Sequence, residues 1–117
     1  PQAIGPYSQA VKAGNLMFVS GQIPLDPKTG DLVSDSIEEQ AKQVLKNVQS
    51  ICEAAGYSLD DIVKISIFLT DLSNFGIVND VMKEYFSEPY PARATVEVSA
   101  LPLGVNVEIE AIVLIND

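Results

Sequence analysis

Residues 36–70 read SIEEQAKQVLKNVQSICEAAGYSLDDIVKISIFLT, and the change of hydrophobic period within this stretch decides the fold class. Ser36-Ile-Glu-Glu39 has the form of a capping box, in which a hydroxyl takes an orphan amide of the first helical turn. Ile37, Ala41, Val44, Leu45, Val48, Ile51, Cys52 and Ala55 then recur at helical spacing, and Gly56 follows as a C-terminal stop. The spacing predicts an amphipathic helix of about five turns. Cys52 falls on its apolar stripe, which makes it a packing residue rather than a nucleophile. From Ile62 the period drops to two. Val63, Ile65, Ile67 and Leu69 take one face, and Lys64, Ser66, Phe68 and Thr70 the other, the pattern of a β-strand.

Upstream, residues 7–12 and 16–22 are expected as strands around a Gly14-Asn15 turn. The segment Pro24–Gly30 is turn chemistry, with Gly30 free to take positive φ. Downstream, a second helix is expected from about Ser73 to Ser87, burying Phe75, Val78, Met82, Tyr85 and Phe86, before Pro89 and Pro91 break it. Residues 93–99 and 105–115 complete the set as two strands. The order is ββαβαββ, an α+β domain with two helices on one face of a sheet. With no repeat or linker, residues 1–117 are expected to form one domain.

The composition excludes more than it suggests. The chain has 117 residues, 16 carboxylates, 7 basic side chains, a net charge of −9, one cysteine and no histidine. Without histidine there is no Ser-His-Asp or Cys-His triad within one chain and no histidine-ligated metal. A single cysteine forbids an intrachain disulfide or a redox pair. Acidity weighs against nucleic acid, which needs clustered Lys and Arg. No apolar run approaches the ~20 residues of a membrane span. A cytoplasmic protein is expected, with no metal and no cofactor.

The last two strands carry the functional argument. Taken as a hairpin, with Ala94, Val96 and Val98 matched to the apolar face of 105–115, they set Val96 against Val107, Thr95 against Glu108 and Arg93 against Glu110. Arg93, the one arginine, is then expected to share the face turned from the core with Thr95, Glu97, Glu108 and Glu110. Ile112, Leu114 and Phe68 interrupt that polar series. A mixed face of this kind points to a covering subunit; the alternative is a half-exposed sheet with weak cross-strand ion pairs.

IGPYSQA (4–10), SGQIP (20–24), EAAG (53–56), PAR (91–93), VEV (96–98) and VEIEA (107–111) stand in the order and spacing of the RidA/YjgF family, which the chain resembles over essentially its whole length. The resemblance implies a chorismate-mutase-like fold, a homotrimer with ligand clefts between subunits, and hydrolysis of enamines and imines such as 2-aminoacrylate and 2-iminobutanoate to 2-keto acids and ammonia. It implies that Arg93 grips the substrate carboxylate and that Glu108 lies near the attacking water. It implies further that Tyr7, Ser20, Gly21 and Asn79 line the cleft. Thr95 stands where the family often has cysteine, and keeps a hydroxyl for hydrogen bonding. The family usually carries residues before GPY, so Pro1–Ile4 are expected to be less ordered.

Such chemistry suits these residues. An imine carbon is already electrophilic, so a positioned water and a proton relay suffice, and an arginine provides bidentate carboxylate recognition. Each residue also admits a plainer role: Arg93 as cross-strand partner of Glu110, Glu108 as a solvated carboxylate, Tyr7 as packing, Asn79 as helix surface, Ser20 and Gly21 as a strand end. The competing functions are a non-catalytic sensor of keto acids and, less compatible with the charge, the endoribonuclease or translation-inhibitor activity described for some relatives.

Overall fold

A computed structural model describes residues 3, 5, 7–33 and 36–116; the expectation about Pro1–Ile4 falls largely outside them. The elements follow the anticipated order: β1 (Ala10–Ala13), β2 (Leu16–Gln22), α1 (Ile37–Ala54), β3 (Ile62–Leu69), α2 (Phe75–Tyr85), β4 (Ala92–Glu97) and β5 (Val107–Leu114). Ser36 caps α1 through its side chain, which accepts from the Glu39 amide at 3.1 Å. Gly14 turns the first hairpin at φ +62°, a region open to glycine without steric cost. One five-stranded sheet results, in the order β1-β2-β5-β3-β4.

Both helices lie on one face. Val44, Val48, Val78, Val81 and Met82 join Met17, Ile65, Ile67, Val107 and Ile109 in a single core cluster. Cys52 is fully buried there, and burial pushes its thiol up to about 11, so it stays protonated and inert. Asn47 is buried too. Its amide donates to the carbonyls of Ile23 and Leu25 at 3.1 and 2.8 Å, and its oxygen accepts from Gln43 at 3.0 Å. That clamp fastens the loop after β2 to α1, and losing it would leave buried carbonyls unsatisfied at a cost of about 1–3 kcal/mol.

The last two strands do not form the expected hairpin. β3 lies between them, antiparallel to β5 and parallel to β4. A strand–helix–strand segment returns as a parallel neighbour because the helix supplies the crossover, and β3-α2-β4 obeys this rule. The connection from β4 to β5 then crosses the end of β3, where Val98 donates to the Leu69 carbonyl and Thr70 to that of Asn106.

This pairing reverses the faces of β4. Arg93, Thr95 and Glu97 stand opposite Ile65, Ile67 and Leu69, so they lie on the helix side. Glu108 and Glu110 stand opposite Phe68 and Ser66, on the bare side. Arg93 therefore has no cross-strand pairing with Glu110, and Thr95 none with Glu108. Two smaller corrections follow from local geometry. A register shift between Ile62 and Lys64 turns Val63 outward and Ile62 inward, and Phe75 begins α2 partly exposed rather than buried.

The bare face is as mixed as its sequence implied. Phe68, Ile112 and Leu114 are half-buried on it, while Val11, Phe18 and Val96 are 53%, 44% and 45% exposed. Among the described residues no helix is long and apolar enough to cross a membrane.

Candidate functional site

The residues singled out by sequence fall into two groups on opposite faces of the sheet. The first surrounds Arg93. Asn79 and Phe75 are one turn apart on α2, so their side chains project from one stripe of the helix. The Arg93 Nη1 donates to the Asn79 Oδ1, and the guanidinium lies 5.1 Å from the centroid of the Phe75 ring. Among the described residues no carboxylate pairs with Arg93. An amide and an aromatic face thus hold the cation by two sides and leave donors of its planar fork for an anion.

Thr95, two residues along β4, has its Oγ1 buried with no hydrogen-bond partner among the described residues. A buried hydroxyl without a partner is uncommon in native proteins and marks a place for a water or ligand atom. Glu97, next on this side of the strand, accepts from the Leu72 amide at 2.8 Å. It thereby satisfies an orphan donor of the turn leading into α2. A cavity of about 480 Å³ opens beside Arg93, lined by Asn79, Met82, Lys83, Tyr90, Pro91 and Arg93.

The second group surrounds Glu108. β2 shifts register against β5 between Val19 and Gln22, so Ser20 and Gly21 sit in a bulge beside the bare-face carboxylates. A Cβ added at Gly21 would land on the Glu108 carboxyl group; glycine is needed here for space. Burial, then the charge of Glu110, pushes the Glu108 carboxyl above its ordinary range, as expected when a carboxylate loses water beside a like charge. Ser20 Oγ donates to the Ser8 carbonyl at 2.6 Å, which ties the bulge to the segment bearing the exposed Tyr7. Gln22 reinforces this tie by donating to the Gln9 side chain at 2.8 Å.

Six expected residues thus form two clusters, Asn79, Arg93 and Thr95 in one and Ser20, Gly21 and Glu108 in the other, while Tyr7 belongs to the segment that Ser20 ties to the second. Phe75 and Lys83 were missed. Their signal is the helical spacing of residues 75, 79 and 83, legible only once Asn79 is known to face Arg93. No group of three or more His, Cys, Asp or Glu side chains that could hold a metal ion occurs among the described residues.

Over residues 1–115 the chain matches the family described as Endoribonuclease L-PSP. It is 56% identical to a RutC family protein of Pyrococcus horikoshii over 112 residues, 96% of this chain and 89% of that one. It is 47% identical to a 2-iminobutanoate/2-iminopropanoate deaminase of Dermatophagoides farinae over 116 residues, 99% and 91% of the two chains. Among solved structures, Escherichia coli TdcF with bound serine superposes with a TM-score of 0.92 at 46% identity, covering 99% of this chain and 93% of that one.

Proposed function

The chain belongs to the Endoribonuclease L-PSP family, the YjgF/RidA family, and from that premise we propose that it is an imine deaminase, converting 2-iminobutanoate- and 2-iminopropanoate-type intermediates to 2-keto acids and ammonia. The observation that carries this proposal is the Arg93 guanidinium, held by the neutral Asn79 amide and the Phe75 ring with no carboxylate among its described partners. A cation so held is prepared for a small carboxylate. The deaminase name of the Dermatophagoides farinae relative and the serine bound to TdcF support a ligand of this class.

Arg93 binds the substrate carboxylate through two N–H donors and fixes the imine carbon. An enamine first takes a proton at carbon and becomes the iminium. Glu108 orients a water and accepts its proton as the oxygen adds to that carbon, giving a tetrahedral carbinolamine. Glu108 returns that proton to nitrogen and takes the hydroxyl proton as the C–N bond breaks, so ammonia leaves as the carbonyl forms. A carboxylate raised above its ordinary range is a stronger base than a solvated one, which suits the transfer.

Because Arg93 and Glu108 lie on opposite faces of one sheet, the reaction requires them to come from two copies. The proposal therefore includes a homotrimer in which the mixed bare face is covered and each cleft joins the Arg93 cluster of one subunit to the Glu108 cluster of the next. The exposed apolar residues Val11, Phe18 and Val96 supply surface for such contact. RNA cleavage fits less well, since a net charge of −9 with one arginine and no histidine offers little to a phosphate backbone. The test is a coupled assay in which a pyridoxal-phosphate dehydratase generates the imine and keto-acid formation is followed. Faster release with the protein than without it is expected. Keto-acid binding with no acceleration would replace the deaminase with a metabolite sensor.

A further inference from the structure

The cavity beside Arg93 continues past the groups that hold the guanidinium. Asn79 and Lys83 are four residues apart on α2, so they rise along one face about 6 Å apart. Arg93 is bonded to Asn79, so Lys83 follows one helical turn beyond the residue that holds the guanidinium and lines the same cavity. Tyr90, Pro91 and the buried Met82 line the cavity with them. Two features set this place apart. Arg93 and Lys83 are two of the chain's seven basic residues, against sixteen carboxylates, and both line this cavity while, among the described residues, no acidic side chain does. The volume, about 480 Å³ before a second subunit brings its Glu108 side to the cleft, also falls in the range of small-molecule sites.

Resting on the deaminase proposal and deepening it, we infer that Lys83 forms a second anion subsite, so that the preferred substrates include imines of short dicarboxylic amino acids. Arg93 takes the carboxylate next to the imine carbon, and Lys83 takes the distal one. The hydrophobic stem of the lysine and the Tyr90 ring flank the intervening methylenes, and the ammonium is free to swing because lysine offers a flexible point charge rather than a fixed fork. The chemistry is unchanged: water adds at the imine carbon and ammonia leaves. Only the far end of the substrate is new.

The test compares kcat/KM for 2-iminoglutarate and 2-iminobutanoate, each generated in situ by a flavin-dependent amino-acid oxidase, in the wild type and in Lys83→Ala, Lys83→Glu and Lys83→Arg. Calorimetric binding of the products 2-ketoglutarate and 2-ketobutyrate runs alongside. The dicarboxylic-to-monocarboxylic ratio is expected to fall by about tenfold in Lys83→Ala, further in Lys83→Glu, and to recover in Lys83→Arg, with the change mainly in KM. A ratio indifferent to all three variants overturns the subsite, as does turnover of 2-iminobutanoate by a protein that does not bind 2-ketoglutarate. If 2-ketoglutarate binds in a Lys83-dependent way while no imine is turned over, the subsite stands and the deaminase proposal falls.

Discussion

Arg93 and Glu108 are held by opposite means. The guanidinium sits at the end of a long side chain on an edge strand, and neighbours grip it: an amide on one side, a ring on the other. Glu108 sits on β5, paired on both sides by β2 and β3, and a missing side chain at Gly21 makes room for it. The first cluster depends on added contacts, so it is adjustable and weakens by degrees. The second depends on an absence, so filling the space displaces the carboxylate from its place. A flexible cation needs partners to lose its freedom; a short carboxylate on a central strand needs only clearance.

Four experiments act on that contrast. The largest effect belongs to Arg93→Ala, for which kcat/KM in the keto-acid assay should fall roughly 30- to 4,000-fold, the equivalent of about 2–5 kcal/mol. Mixing this variant with Glu108→Ala tests whether the two clusters meet between copies. Refolded together at equal amounts, two inactive proteins should regain activity in roughly a quarter of the clefts of a cyclic assembly; no recovery in verified mixed oligomers would remove the two-subunit cleft.

Next comes Gly21→Ala. Gly21 is not among the glycines at positive φ, so the backbone tolerates alanine and the damage passes through the displaced Glu108. A loss in kcat of up to about 100-fold is expected, with KM little changed. A loss confined to KM would instead assign Gly21 to substrate contact.

The third is a shift along the pH axis. Glu108 acts as a base when deprotonated, so activity should appear as pH rises through a value above the ordinary carboxylate range. Glu110→Gln removes the second cause of that elevation and should move the acid limb of kcat/KM downward. The same sign governs stability. A carboxyl whose folded value is raised favours the fold at low pH, and that contribution is lost as pH rises through the folded value. Glu108→Gln should therefore unfold at a higher temperature than the wild type at neutral pH, and at a similar one in acid. The smallest effect is expected from Phe75→Leu, which removes a cation–π contact of about 0.5–1 kcal/mol. KM should rise roughly two- to fivefold, measured against Asn79→Ala as the other half of the grip.

The elements themselves were largely legible because each is a local pattern. Ser36 and Gly56 bracket the stripe of α1, and the alternation from Ile62 marks β3. The site residues were legible singly, through the PAR, SGQ and VEIEA motifs, but their arrangement was not. Alternation assigns Arg93 and Val96 to opposite faces without saying which face is buried; the partner strand decides that. The hairpin expectation used loop proximity, whereas α2 returns β4 to the far side of β3 and reverses every side chain on it. Glu108 escaped the error since β5 is buried on one side whatever its neighbours. The role of Gly21 was hidden for a different reason: a residue chosen for the atoms it lacks leaves no pattern in composition or spacing.

One consequence of the strand order concerns synthesis. β5 occupies the middle of the sheet yet comes last among the strands, and it alone connects β2 to β3. While a ribosome still holds residues 107–114, the chain consists of two separate ribbons, β1–β2 and β3–β4, each with an unpaired inner edge. Both helices have emerged by then, with apolar stripes that have only half a sheet to cover. Closing the structure requires Leu16 to meet Leu114, contacts between nearly opposite ends of the chain, and such long closures are slow to form. The fold therefore completes only once β5 has left the ribosome, and the interval before β5 docks is when the nascent chain most needs protection from pairing with its neighbours.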